Sequence, residues 1–506
     1  MRTHRALLIL LGASVLASAA RAATPADIAL VNRLTWGESA SSVADLERQG
    51  ADRWLEDQLH PRNAPLPEAA QAQIDALPIA RAPMAQIVAD IDAQNRAKNQ
   101  IADPDQKKAA QQAYQQAMND LGRQAATRSL LRDLYSPDQL QEQLTWFWFN
   151  HFNVHMAKRD IRAMVGDYED QAIRPHVLGR FRDLLEATLK HPAMLRYLDN
   201  DQNAVGRINE NYAREIMELH TMGVGSGYTQ QDVQELARIL TGVGVNITPN
   251  TPRLRPELQP LYVRQGLFEF NPARHDFGDK TFLGHTIRGS GFGEVEQALD
   301  ILAKQPATAH HISQQLAVYF MGDAPPDSVV NRMADAFQHT DGDIAQVLRV
   351  LFKSREFQAS LGPGGSNKTF KDPAHYAVSA VRLAYDDKVI VNTQPIQGWL
   401  NRMSEGLFNH ETPDGYAMDS AAWSGPGQLA VRFEIAHQIG SGSAGLFRPD
   451  GQGQTDAPAF PQLQNALYYQ GLSDTLASAT RATLEQSTSP QDWNTLFLSS
   501  PDFMHR

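Results

Sequence analysis

Leu140-Gln141-Glu142-Gln143-Leu144-Thr145-Trp146-Phe147-Trp148-Phe149-Asn150-His151-Phe152-Asn153-Val154-His155 concentrates apolar side chains at helical spacing, with Leu144, Phe147, His151 and His155 stepping by three and four residues along one stripe. Such density marks the centre of a helical core, and it continues C-terminally through helices expected near 160–173, 176–190, 209–222 and 229–241. Beyond them a Pro-rich passage, 248–293, loses the helical period. In it, 267–270 and 281–283 read as a short strand pair or an extended loop around His275-Asp276. Helical periodicity returns over 294–358. Gly362-Pro363-Gly364-Gly365-Ser366 then reads as a linker. Further helices are expected near 372–385, 393–404, 423–439, 471–485 and 490–498.

On the N-terminal side, a polar Ala- and Gln-rich stretch over 84–134 is interrupted at Asp103-Pro104, where Asp suits the N-cap and Pro the first helical position. It reads as two long helices forming an arm, or as a partly disordered segment. A helical pattern also covers 27–59, ended by Pro61, Pro65 and Pro67. The fold class is therefore all-α, a large multi-helix core with a small β-hairpin excursion and a polar helical arm. The chain divides into 1–22, a leader; 23–135, N-terminal helices and arm; 136–360, the central core with its irregular excursion; and 361–506, a C-terminal helical region.

The leader has the form of a cleavable signal peptide. Arg2, His4 and Arg5 precede an apolar run over 6–19, and Ala20-Arg21-Ala22 supplies the small residues a signal peptidase needs. The run is shorter than the roughly 20 residues of a membrane span. Export to the periplasm or the medium is the expectation, with no transmembrane segment in the mature chain. Of 46 basic residues, Arg2, Arg5 and Arg21 lie in the leader, which leaves 43 against 57 acidic residues, a net charge of −14. That disfavours binding to nucleic acid or to an anionic membrane. With no Cys, disulfides, thiolate metal sites and Cys nucleophiles are excluded.

Several stretches resemble the bacterial domain of unknown function 1800 family. They are Leu34-Thr35-Trp36-Gly37, Trp146-Phe147-Trp148-Phe149-Asn150-His151-Phe152, the run Asn209-Glu210-Asn211-Tyr212-Ala213-Arg214-Glu215-Ile216-Met217-Glu218-Leu219-His220-Thr221-Met222-Gly223, then Tyr228-Thr229-Gln230-Gln231-Asp232-Val233, His275-Asp276 with Lys280-Thr281-Phe282-Leu283-Gly284, and Thr412-Pro413-Asp414-Gly415-Tyr416. His310-His311 departs from the pattern, where a more apolar and basic helix is expected. The resemblance implies export and a partner encoded alongside, a protein of the domain of unknown function 1501 family, itself similar to the alkaline-phosphatase and sulfatase superfamily. It implies no reaction and no catalytic residue.

Four constellations are candidates for chemistry. Asp199, Asp201 and Asn203 at alternate positions, with Glu210 at the twelfth, match a calcium loop, although Ala204 and Arg207 stand at the sixth and ninth positions; the competing reading is a polar turn between helices. Glu215 and Glu218 share a helix face with Asn211 and Met222, able to hold a divalent cation or work as acid and base, or else to form an ion-pair lattice with Arg214 and Arg238. His151 and His155 are four apart, a spacing that places two imidazoles on one metal, or one histidine at a core edge. His275 and Asp276 are either an acid-base pair on a loop or turn chemistry. His410-Glu411 lacks the second His of a zinc-protease motif, and Gly440-x-Gly442-x-x-Gly445 follows a helix rather than a strand, so neither is retained. Two functions follow: a binding or assembly factor of the bacterial envelope acting with a partner, or a metal-dependent enzyme, using calcium or another divalent ion, sited around 199–220. The first is favoured because no complete catalytic set is visible.

Overall fold

A computed structural model of the protein describes residues 23–362, 369–449, 460–461 and 463–506. The leader 1–22, and Pro363 to Ser366 of the expected linker, lie outside the described residues. The expected apolar centre is the helix Gln139–His151. Residues 139–145 and 147–149 are all buried, with Leu140, Leu144 and Trp148 fully inaccessible. Each large side chain buried here stabilises the fold by roughly 1.5–3 kcal/mol. Two of its buried polar groups are paired: the Arg174 fork donates to both oxygens of Glu142, 3.0 and 2.6 Å away, and Trp148 Nε1 donates to Val177 O.

N-terminal elements pack against this helix. Pro25–Leu34 opens with a capping box between Thr24 and Asp27, and the turn after it bonds the central helix, with Trp36 N donating to Gln139 Oε1 at 3.1 Å. Pro373–Tyr385 is buried along its whole length. Its Arg382 donates to Gly37 O, Leu134 O and Ser42 Oγ, tying it to N-terminal elements. The apolar cluster is continuous from Ile28 to Met504.

The polar stretch is a helical hairpin, Met84–Gln100 and Pro104–Tyr135, with Asp103 accepting from Gln106 N at 2.8 Å as the N-cap. Its second helix is exposed near the tip and enters the core near its end, where Leu130 and Leu131 are inaccessible. The helix expected over 160–173 is broken into Ile161–Ala163, Val165–Asp167 and a wide turn, Tyr168–Ile173. Pro175, which has no N–H and cannot close a regular turn, stands just beyond the wide segment. A single 3-10 turn, Arg174–His176, follows, and the next α-helix starts at Phe181, not near 176.

The excursion contains two antiparallel sheets instead of one strand pair. Phe268–Phe270 is the middle strand between Val243–Val245 and Val263–Gln265, and Lys280–Phe282 pairs with His285–Ile287. The expected pairing of 267–270 with 281–283 does not form. The two-residue turn Leu283-Gly284, with φ of 47° and 78°, closes the second hairpin locally, and both edges of Phe268–Phe270 are already taken. Among the described residues, no helix is long and apolar enough to cross a membrane.

Candidate functional site

The helix bearing Glu215 and Glu218 is positioned by asparagines. Asn203, wholly buried, donates to Ala237 O and accepts from Asn209 N at 3.0 Å; Asn209 in turn donates to Asp199 O and accepts from Asn211 N. From this start Asn211–Glu215 is α-helical and Ile216–His220 widens to a π-turn, closed by Gly223 N donating to Met217 O at 3.2 Å with Gly223 at φ +87°. Such single wide turns shift the side chains that follow relative to a regular helix.

The expected calcium ligands have other partners. Asp199, at left-handed φ, receives Lys158 Nζ at 2.8 Å, and Asp201 takes a bidentate pair from Arg159 at 3.0 and 2.9 Å. The Asn203 oxygen is used by Asn209, and Glu210 accepts from Gln230 at 2.7 Å and from Arg214. These oxygens do not converge. Among the described residues, no three His, Asp or Glu side chains are gathered so as to hold a metal ion.

His155 does not share a face with His151, because the helix ends at His151 and the spacing loses its meaning beyond it. His151 instead sits 6.1 Å from the His220 ring and 6.2 Å from the His311 ring. His151 Nε2 donates to His220 O, and His311 Nε2 donates to Leu219 O, so both rings cap the last carbonyls of the π-turn. Burial, and then the neighbouring His311, push the His151 imidazole down to about 3, so it is neutral at physiological pH. The three-histidine meeting was not legible in the sequence, where His311 stands in a distant helix.

His275 and Asp276 have separate partners. His275 Nε2 donates to Glu294 Oε1 at 2.9 Å, and the same carboxylate accepts from Lys280; all three side chains are fully buried. Asp276 pairs with Arg238 at 2.9 Å, which holds its carboxyl below the usual range. Arg238, also bonded to Glu235, is therefore spent away from the 210–218 carboxylates.

What remains is Glu215. Arg214 bridges Glu210 and Glu218, each at 3.4 Å, but among the described residues no hydrogen bond or ion pair engages Glu215. Burial, then the charge of Glu218, raise its carboxyl above the ordinary value; the charge of Arg214 opposes them, and Asp414 adds a smaller push upward. Asp414 comes from a loop far along the chain that is strapped to the end of the central helix. Asn150 exchanges two bonds with the Tyr416 backbone, at 2.8 and 2.6 Å, Asn153 donates to His410 O and Thr412 O, and Tyr197 donates to Glu411 O. Gly415, at φ +73°, packs so closely that a Cβ would lie 2.2 Å from Asn150 O. On this loop Thr412 Oγ1 donates to the Asp414 carboxylate, with His410 Nε2 at 3.4 Å. The Asp414 side chain is 63% exposed.

The arrangement is an acidic ledge, Glu215, Glu218 and Asp414, on a backbone fixed by buried amides. Like charges in a half-buried setting favour an incoming cation. Because burial and its neighbours make ionised Glu215 unfavourable in the free protein, Glu215→Gln is expected to raise the melting temperature, measured by calorimetry at neutral pH.

A family model described as "Protein of unknown function (DUF1800)" matches residues 29–505. No curated protein and no solved structure matches the chain.

Proposed function

The chain belongs to the DUF1800 family, whose description names no activity, and from that premise we propose that it is an exported binding protein of the bacterial envelope that receives a basic segment of a partner protein on the ledge of Glu215, Glu218 and Asp414. The observation that carries this reading is the Glu215 carboxyl, without a hydrogen bond or ion pair among the described residues and near Glu218 and Asp414, while the neighbouring Arg214 is shared between Glu210 and Glu218. A lysine or arginine of a partner supplies the missing counter-charge. Export is supported by the basic start, the apolar run and Ala20-Arg21-Ala22. The first partner to test is the co-encoded protein of the 1501 family that the sequence resemblance implies. The metal-dependent alternative has less support, since Asp199, Asp201 and Glu210 are committed to cations or amides of the chain itself.

Isothermal titration against that partner tests the proposal. The double variant Glu215→Gln, Asp414→Asn is expected to weaken binding about tenfold or more, the scale of a lost charge-assisted contact. Binding should also weaken with salt, and as pH falls through the raised value of Glu215, because the protonated carboxyl offers no charge. A partner that does not bind, or binds the variant equally well, overturns the reading.

A further inference from the structure

Ala23 directly follows Ala20-Arg21-Ala22, so hydrolysis by a signal peptidase at that point would make it the first residue of the chain. The fold gives its nitrogen a partner. Ala23 N donates at 2.6 Å to Glu47 Oε1, on the helix Ala40–Gln49. The residues that follow fix this nitrogen in place: Thr24 N donates to the Asp27 carboxylate at 2.8 Å within the capping box, and Pro25 presets the first helical turn. Glu47 in turn lacks a counter-charge. Among the described residues it makes no ion pair and accepts from no other donor, while Asp45 and Arg48 of the same helix pair with each other. Its half-buried carboxylate borders a recess of about 220 Å³ whose other described walls, among them Ile28, Ala40, Val43 and Leu467, carry no charged side chain.

A neutral amide answers a carboxylate with a dipole, whereas an ammonium answers it with a full charge. Hydrolysis of the bond between Ala22 and Ala23 makes that exchange at this atom. Water adds across the bond, Ala22 leaves with a carboxylate, and Ala23 keeps its nitrogen as an ammonium where a Glu47 oxygen already lies. We propose that Glu47 is the receptor for the mature N-terminus: removal of the leader after Ala22 creates an α-ammonium at Ala23 that pairs with Glu47, a latch on the first helix that the unprocessed chain lacks. The latch rests on the export reading given above and is independent of the acidic ledge.

Two measurements separate the latch from export. N-terminal sequencing of the protein exported by a bacterial host is expected to begin Ala23-Thr24-Pro25-Ala26. A product beginning elsewhere overturns the latch and leaves export standing; a chain that keeps its leader overturns both. Separately, the chain beginning at Ala23, released from a fusion with its amine free, is compared with the same chain carrying an N-terminal acetyl group, which restores a neutral amide at that nitrogen. At about pH 6.5, below the usual range of an α-amine, the free form is expected to melt about 1–2 °C higher by calorimetry, and the gap is expected to close in Glu47→Gln. Followed by NMR, the α-ammonium should lose its proton at higher pH in the native protein than in that variant, because a nearby carboxylate favours the charged form. Free and acetylated chains that melt alike, or a gap of the same size in Glu47→Gln, overturn the proposal whatever becomes of the leader.

Discussion

Replacing Glu294 by Gln is expected to lower folding stability by about 3–5 kcal/mol, because it leaves the buried Lys280 ammonium without a counter-charge. The Lys280 and Glu294 side chains are both wholly inaccessible, and the carboxylate also accepts from His275 Nε2 and from the backbone N–H of Ser290 and Gly291, at 2.7 and 2.9 Å. Burial alone would raise this carboxyl. The hydrogen bonds from His275 and Lys280 outweigh it and hold the group at about 2. A depressed carboxyl contributes stability above its unfolded value, near 4.3, and that contribution is lost as pH falls through about 2. Urea unfolding followed from pH 6 to pH 2 should therefore show the native protein losing stability over this window and the variant changing less. Replacing Glu294 and Lys280 together by Met should cost much less than the single change, since a buried pair and an apolar isostere are close in stability whereas a lone buried charge is not. A single variant as stable as the native protein would contradict the account of this cluster.

Gly415→Ala is expected to cost about 2–4 kcal/mol and, in the same protein, to weaken partner binding. Two effects add. The residue sits at φ +73°, which L-side chains rarely adopt, and its Cβ would meet backbone, Asn150 O, at 2.2 Å rather than a side chain that could swing aside. Relief requires the loop to lift from the central helix. The Asn150 bonds to Tyr416 and the Asn153 bonds to His410 and Thr412 would then lengthen, and Asp414 would leave the neighbourhood of Glu215. Chemical denaturation gives the stability loss and titration with the partner gives the affinity loss. Folding unaffected with binding lost would place the glycine's role outside loop geometry. Folding weakened with binding intact would detach the loop from recognition.

The parts of this fold that rest on local signals were readable. Asp103-Pro104 starts a helix because an acceptor at the cap and a preset φ act within a few residues, and the stripe through Leu140 and Leu144 marks the buried helix whatever packs on it. What failed depends on partners. Spacing alone puts His155 beside His151, yet the helix stops between them. The stretch 267–270 has a strand pattern and forms one, but its neighbours are set by which edges remain free, and Val243–Val245 carries too little pattern to mark a strand. The candidate site shows the same division. Glu215 and Glu218 were legible as neighbours because a helix puts them there. Asp414 was not, since its approach to Glu215 depends on two asparagines at the end of the central helix binding the backbone of a loop far along the chain. Of the ion-pair lattice of Arg214 and Arg238, only Arg214 reaches the carboxylates, because Asp276 takes Arg238.

The proposal that the ledge around Glu215 receives a partner's basic segment is tested most directly by hydrogen–deuterium exchange of the protein with and without the proposed partner of the 1501 family. Slower exchange on binding, confined to Asn211–Glu215, Ile216–His220 and the 410–416 loop, is the result expected. Protection that falls elsewhere while these segments exchange as in the free protein would contradict it.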